Sequence, residues 1–143
     1  MTRISQDEMM LRMAEIAALR STCSRRHVGA VIAREGRALS TGYNGTPAGL
    51  PHCWHNEERE HCIQAVHAEA NAIAWAARNG IRTEGATMFT TTVPCKKCAE
   101  LIINAGIARV VYRTGYHTTE GTDLLAAVGI PLEHLGYPYP KEN

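Results

Sequence analysis

The sequence predicts an α/β domain in which one mixed β-sheet is flanked by helices, a three-layer α/β/α arrangement. Three observations carry that prediction. Helical stretches alternate with short runs rich in β-branched residues along the whole chain. Two of these runs, residues 28–33 and 38–43, are joined by Arg34-Glu35-Gly36-Arg37 and read as a hairpin. Two others, residues 87–92 and 108–112, are separated by a helix, the spacing of a right-handed βαβ unit with parallel strands.

The elements follow in order. Ser5-Gln6-Asp7-Glu8 has capping-box spacing and precedes a stripe at Met9, Met13, Ile16 and Ala17, which predicts an amphipathic helix ending near Leu19. After the hairpin, residues 42–60 hold Gly, Pro, Asn, His and charges without periodicity. That is a loop longer than the usual limit of about 12–15 residues, a length that goes with function or disorder. An alanine-rich helix follows over residues 67–79, with Gly80 in the C′ position. Pro94 starts a helix over residues 95–105, stopped by Gly106. A short helix over residues 120–128 and a last strand within residues 130–135 complete the pattern. The tail from Gly136, with Pro138 and Pro140, cannot be regular. No repeat, low-complexity tract or linker interrupts the chain, so residues 1–143 are expected to form a single domain.

A length of 143 residues suffices for a core without disulfide staples. With 15 Lys and Arg against 14 Asp and Glu, the formal charge is +1. That balance supplies no basic groove for nucleic acid, although it is compatible with a local anion pocket. No apolar run approaches the roughly 18 residues of a membrane span. Acidic residues at Asp7 and Glu8 occupy the place where a signal peptide needs an apolar run, so a cytoplasmic protein is expected. Five cysteines in a reducing compartment do not suit a disulfide framework. Their positions (Cys23, Cys53, Cys62, and the pair Cys95 and Cys98) and the histidines at 52, 55, 61 and 67 suggest metal instead.

The sharpest feature combines His67, Glu69 and Cys95-Lys96-Lys97-Cys98 behind Pro94. Cys95 and Cys98 stand i and i+3 at a helix start, with their sulfurs on one face. His67 opens another helix, and two helix N-termini aimed at one point favour thiolate over thiol. One imidazole and two thiolates leave the fourth position of a tetrahedral zinc open for water. Glu69, on the first turn beside His67, is expected to converge on the metal's solvent side and to shuttle protons as general acid and base. Alone, Cys-x-x-Cys serves equally as a redox motif or half a zinc ribbon, and His-x-Glu means little. Together they form the zinc nucleobase deaminase signature, H-x-E with P-C-x-x-C.

The resemblance extends beyond that signature. From about Cys23 to Leu135 the chain resembles the deoxycytidylate deaminases, including the competence-type group. The matching segments are Cys23-Ser-Arg-Arg-His-Val-Gly-Ala-Val-Ile32, Gly42-Tyr-Asn-Gly-Thr-Pro-Ala-Gly49, His67-Ala-Glu-Ala-Asn-Ala-Ile73 and Pro94-Cys-Lys-Lys-Cys98, which runs into Leu101-Ile-Ile-Asn-Ala-Gly-Ile107. The resemblance implies a cytidine deaminase-like fold and a homo-oligomer, often a hexamer. It implies hydrolysis of dCMP to dUMP and ammonia, supplying dUMP for dTMP synthesis. The residues implied at the substrate are Ser24, Arg25 and Arg26 for the phosphate, Asn44 for the deoxyribose 3′-hydroxyl, and Ala68 and Tyr116 near the nucleotide. By residue type alone, the arginines would pass as solvated surface and Asn44 as turn chemistry. The family often carries a second, structural zinc, here completed as Cys23, Cys53, Cys62 and His61, with His52 and His55 as competitors for the histidine position. Buried cysteine as a small hydrophobe is the plainer alternative. The resemblance also implies activation by dCTP with Mg²⁺ and inhibition by dTTP, through Gly42, Tyr43, Asn44, Gly45 and Arg78. Arg78 would otherwise be an ordinary cation at a helix C-terminus.

Two rival functions remain at the level of sequence. One is a deaminase of a different base or nucleotide: a 5-substituted dCMP, CMP or tRNA adenosine. The other is a non-catalytic zinc-held interaction domain, which would have no use for Glu69.

Overall fold

Helix α1 (Gln6–Ala18) begins where the capping box predicts, and Ser5 Oγ accepts the Glu8 amide at 3.0 Å. Strands β1 (Gly29–Arg34) and β2 (Arg37–Tyr43) form the expected antiparallel hairpin, with Glu35 and Gly36 at positive φ in its turn. Then follow α2 (Ala68–Arg78), β3 (Thr87–Thr92), α3 (Lys96–Asn104), β4 (Arg109–Thr114), α4 (Glu120–Ala127) and β5 (Leu132–His134). The computed structural model describes residues 3–52, 65–115 and 118–137. Among the described residues no helix is long and apolar enough to cross a membrane.

The sheet has the order β2-β1-β3-β4-β5. β1 is antiparallel to both neighbours, whereas β3, β4 and β5 run parallel. The mixed sheet is the predicted one, and both parallel pairs are crossed by a helix, α3 and α4 respectively. Alternation along the strands feeds two cores. Ala30, Ile32, Met88 and Val110 face Ala68, Ala72, Ala99, Ile102 and Leu125 from α2, α3 and α4. Val31, Ala33, Phe89 and Val111 face Met10, Leu11 and Ala14 of α1. Strand β1, covered on both faces, therefore reads as a continuous apolar run.

One expectation is corrected. The stripe assigned to the core in α1 is largely outside: Met9 and Met13 are exposed, and Ile16 is 67% exposed. The buried face is Met10, Leu11, Ala14 and Ala18, one position round the helix. Small residues on that face let backbone approach backbone. A Cβ at residue 29 would lie 1.8 Å from the Ala14 carbonyl oxygen, so β1 meets α1 through Gly29.

Two arginines of β4 also hold α1. Arg109 bonds both carboxylate oxygens of Asp7, at 3.0 and 2.6 Å, and pairs with Glu133. Arg113, fully buried, bonds both oxygens of Glu8 at 2.8 and 2.9 Å and Glu15 at 2.7 Å, and stacks over Tyr137.

Candidate active site

The N-termini of α2 and α3 meet at the ends of β2 and β3, and their N-cap residues are His67 and Cys95. His67 makes no capping hydrogen bond to α2, and Cys95 meets Cys98 in the first turn of α3, so both point at a shared centre. His67 Nδ1 lies 3.4 Å from Cys95 Sγ and 3.4 Å from Cys98 Sγ. Among the described residues this is the one His, Cys and carboxylate group with metal-ligating atoms within 4.8 Å of one another. Two more close approaches fix it. A Cβ at Gly121 would fall 2.2 Å from the Pro94 carbonyl oxygen, which seats α4 on the cysteine turn, and one at Gly42 would fall 2.2 Å from that of Ala68, which seats α2 on β2.

The electrostatics suit a cation. The Cys95 thiol is pushed down to about 3 by hydrogen bonds from Cys98 and then His67. Cys98, as the donor of the pair and as a buried group, is pushed up. The hydrogen bond to Cys95 raises His67. Three soft-to-borderline donors competing for protons at contact distance are the donor set of a tetrahedral zinc with one open position, and the residues fit the metal.

Glu69 is buried, 4% exposed, against β3, where Thr90 Oγ1 donates to its Oε1 at 3.0 Å. Its carboxyl also reaches the Cys98 thiol. Burial pushes the Glu69 carboxyl up from the ordinary range, opposed by hydrogen bonds from its own amide and Thr90.

Residues 4–114 match the family described as the cytidine and deoxycytidylate deaminase zinc-binding region. The chain belongs to this family. It is 38% identical over 141 residues to ComE operon protein 2 of Bacillus subtilis, covering 94% of this chain and 74% of that one. It is 37% identical over 145 residues to the deoxycytidylate deaminase of Saccharomyces cerevisiae, covering 94% of this chain but 46% of the yeast protein, so it spans about half that enzyme's length. The crystal structure of a cyanophage S-TIM5 dCMP deaminase in complex with dCMP and dUMP superposes with a TM-score of 0.87 at 32% identity, over 94% of this chain and all of that one. The fold is therefore cytidine deaminase-like, and the chain is a hydrolytic deaminase with a zinc-binding His-Cys-Cys centre.

Of the remaining expected residues, Arg26 stands beside this deaminase centre. Ser24, Arg25 and Arg26 are exposed in the α1–β1 connection, and the Arg26 charge is near enough to act on His67. Asn44 is buried with its side chain engaged: Nδ2 donates to the Arg26 carbonyl at 2.9 Å, and Oδ1 accepts the Val28 amide at 2.9 Å. It thereby ties the Arg26 loop to the end of β2. Ala68 is buried in the first turn of α2. Tyr43 accepts Asn71 Nδ2 through its carbonyl at 2.8 Å, and Gly45 bridges Val66. Arg78 occupies the far end of α2, over the Trp75 ring at 5.4 Å. That is ten residues from Ala68, or about 15 Å along the axis. Cys23 is buried, and His52 is exposed. Cys53, His55, His61, Cys62 and Tyr116 lie outside the described residues.

Sequence reasoning missed Thr90 and Gly121. Thr90 carries a readable signal: it shares the strand parity of Met88, a core-facing position, yet is polar. Gly121 carries none beyond being a glycine inside a helix.

Proposed function

We propose that this chain hydrolyses dCMP to dUMP and ammonia. The observation that carries the proposal is a buried carboxyl, Glu69, set against a His67, Cys95 and Cys98 centre at the junction of two helix N-termini. Bound there, zinc supplies the Lewis acidity that makes a water nucleophilic near neutral pH. Glu69 takes one proton from that water and places it on N3 of cytosine as the oxygen bonds to C4. It then takes the remaining hydroxyl proton and delivers it to the amino group, so that C4–N breaks, ammonia leaves and C4=O forms. The dCMP named for the similar proteins supports the substrate, as does the Arg26 charge beside the centre; Arg26, with Ser24 and Arg25, is the proposed partner of the monophosphate dianion through charge-assisted hydrogen bonds. Asn44 and Tyr116 are the residues proposed to meet the sugar and the nucleotide.

The finer parts of the proposal are separable. A structural zinc on Cys23, Cys53, Cys62 and His61 is supported by the Gly45–Val66 bridge, which brings the two ends of the cysteine-bearing segment together. They meet close to Thr22, whose Oγ1 lies 2.5 Å from where a Gly45 Cβ would be. Regulation by dCTP with Mg²⁺ and by dTTP through Gly42, Tyr43, Asn44, Gly45 and Arg78, assembly as a hexamer, a cytoplasmic site and a supply of dUMP for dTMP synthesis rest on family likeness. The testing experiment measures ammonia release by zinc-loaded protein from dCMP, CMP, deoxycytidine and dCTP, with and without dCTP and dTTP as effectors, alongside zinc per chain. Preference for dCMP is expected, and turnover of none of the four overturns the proposal. A hyperbolic, triphosphate-insensitive rate removes regulation alone, and a single zinc equivalent removes the structural site alone.

A further inference from the structure

Among the described residues, Glu69 has one hydrogen-bonding neighbour outside the metal cluster, a neutral hydroxyl. Thr90 lies in the middle of β3, fully buried, on the strand face that meets α2. Its hydroxyl stands between two oxygens, Glu69 Oε1 at 3.0 Å and the Thr92 carbonyl at 2.9 Å. A hydroxyl owns one proton and two lone pairs, so it donates to one of these oxygens at a time. The Thr92 carbonyl can only accept. The Glu69 oxygen accepts when the carboxyl is ionised and can donate when it carries a proton. A turn of the O–H bond, with no heavy atom moving, therefore satisfies either form. A cation in this place would hold the carboxylate too firmly, and an apolar side chain would leave a buried polar oxygen unpaired.

We propose that Thr90 is a positioning residue for the deamination, its hydroxyl holding Glu69 Oε1 before and after each proton transfer so that the carboxyl keeps one orientation toward the metal centre. The proposal rests on Glu69 being the proton carrier. It differs from a packing role for Thr90, because packing depends on the side chain's shape and positioning depends on the hydroxyl. Thr90→Val keeps the shape and removes the hydroxyl, whereas Thr90→Ser removes a methyl and keeps the hydroxyl.

The test compares zinc-loaded wild type, Thr90→Val, Thr90→Ser, Thr90→Ala and Glu69→Gln. It reads kcat and KM for dCMP, zinc content by mass spectrometry, the thermal midpoint, and the affinity for dUMP by calorimetry. Thr90→Val is expected to lower kcat about ten- to a hundredfold, the scale of a lost hydrogen bond to a charged group, with KM within about twofold of wild type. Zinc content and dUMP affinity should be retained, and Thr90→Ser should recover most of kcat. Should Thr90→Val misfold, Thr90→Ala against Thr90→Ser carries the same contrast. A valine or alanine variant with near-normal kcat, while Glu69→Gln is inactive, overturns the inference and leaves the function standing. So does loss of zinc or of dUMP binding that serine fails to restore, since that is a packing effect. An active Glu69→Gln overturns the underlying reading itself.

Discussion

Glu8 and Glu69 are both buried carboxyls on the first turn of a helix, 9% and 4% exposed, and the fold treats them in opposite ways. Glu8 is gripped through both oxygens by Arg113 and through one by Arg12 at 2.9 Å. The Arg113 hydrogen bond, against the cost of burial, holds its carboxyl below the ordinary range. Glu69 has a neutral hydroxyl where Glu8 has a guanidinium, and burial dominates, pushing its carboxyl up. Burial and helix position are shared, so the partner decides. A carboxyl paired with a fork of N–H donors is fixed in one charge state, whereas one beside a hydroxyl and a metal centre is able to exchange protons.

That contrast is most exposed to failure at Glu69. Glu69→Gln preserves shape and removes the proton carrier, so kcat for dCMP should fall by about 10²–10⁴-fold while folding and zinc content hold. Steady-state kinetics with metal analysis check this, and a stability loss in place of the rate loss would dissolve the distinction. The reverse is expected on the other side. Arg113→Met leaves Glu8 and Glu15 without their buried cation and should cost about 3–5 kcal/mol in urea unfolding, with kcat of the folded fraction unchanged.

Glu8→Gln is the gentler probe. It keeps most hydrogen bonds but not the charge, and should cost about 1.5–3 kcal/mol at neutral pH. Because the Glu8 carboxyl titrates below its ordinary value of 4.5 in the folded chain, its stabilisation is complete above that value and is lost as pH falls through the lowered one. Thermal midpoints of wild type and Glu8→Gln should therefore converge in acid. A gap that stays constant would mean that the charge of Glu8 contributes nothing.

Short-range patterns were legible in the sequence. The hairpin at Glu35 and Gly36, the helix between β3 and β4, and His67, Cys95 and Cys98 as one cluster all follow from spacing and turn chemistry. The face of α1 was not. Residues 9, 13, 16 and 17 and residues 10, 11, 14 and 18 are both helical stripes, and hydrophobicity favours the first. The choice is made by close approach to Gly29, which rewards the smallness of Ala14 and Ala18. Glu69 was legible for its chemistry, but its hydrogen bond to Thr90, 21 residues away on a strand, was not. Arg113 and Glu8 lie 105 residues apart, and nothing local announces their pairing.

The three glycine seats have a consequence for heredity. Gly29, Gly42 and Gly121 each put a helix or its neighbouring turn so near that a Cβ would meet a backbone oxygen at 1.8 to 2.2 Å. Every single-base missense change in a glycine codon introduces a side chain, and no rotamer of a flexible neighbour relieves contact with backbone. At these three codons the genetic code offers no mild neighbour. A saturation library scored for folded, active protein should recover synonymous changes there and almost nothing else, whereas Gly80, which has open space around it, should lose only what its positive φ of 66° demands.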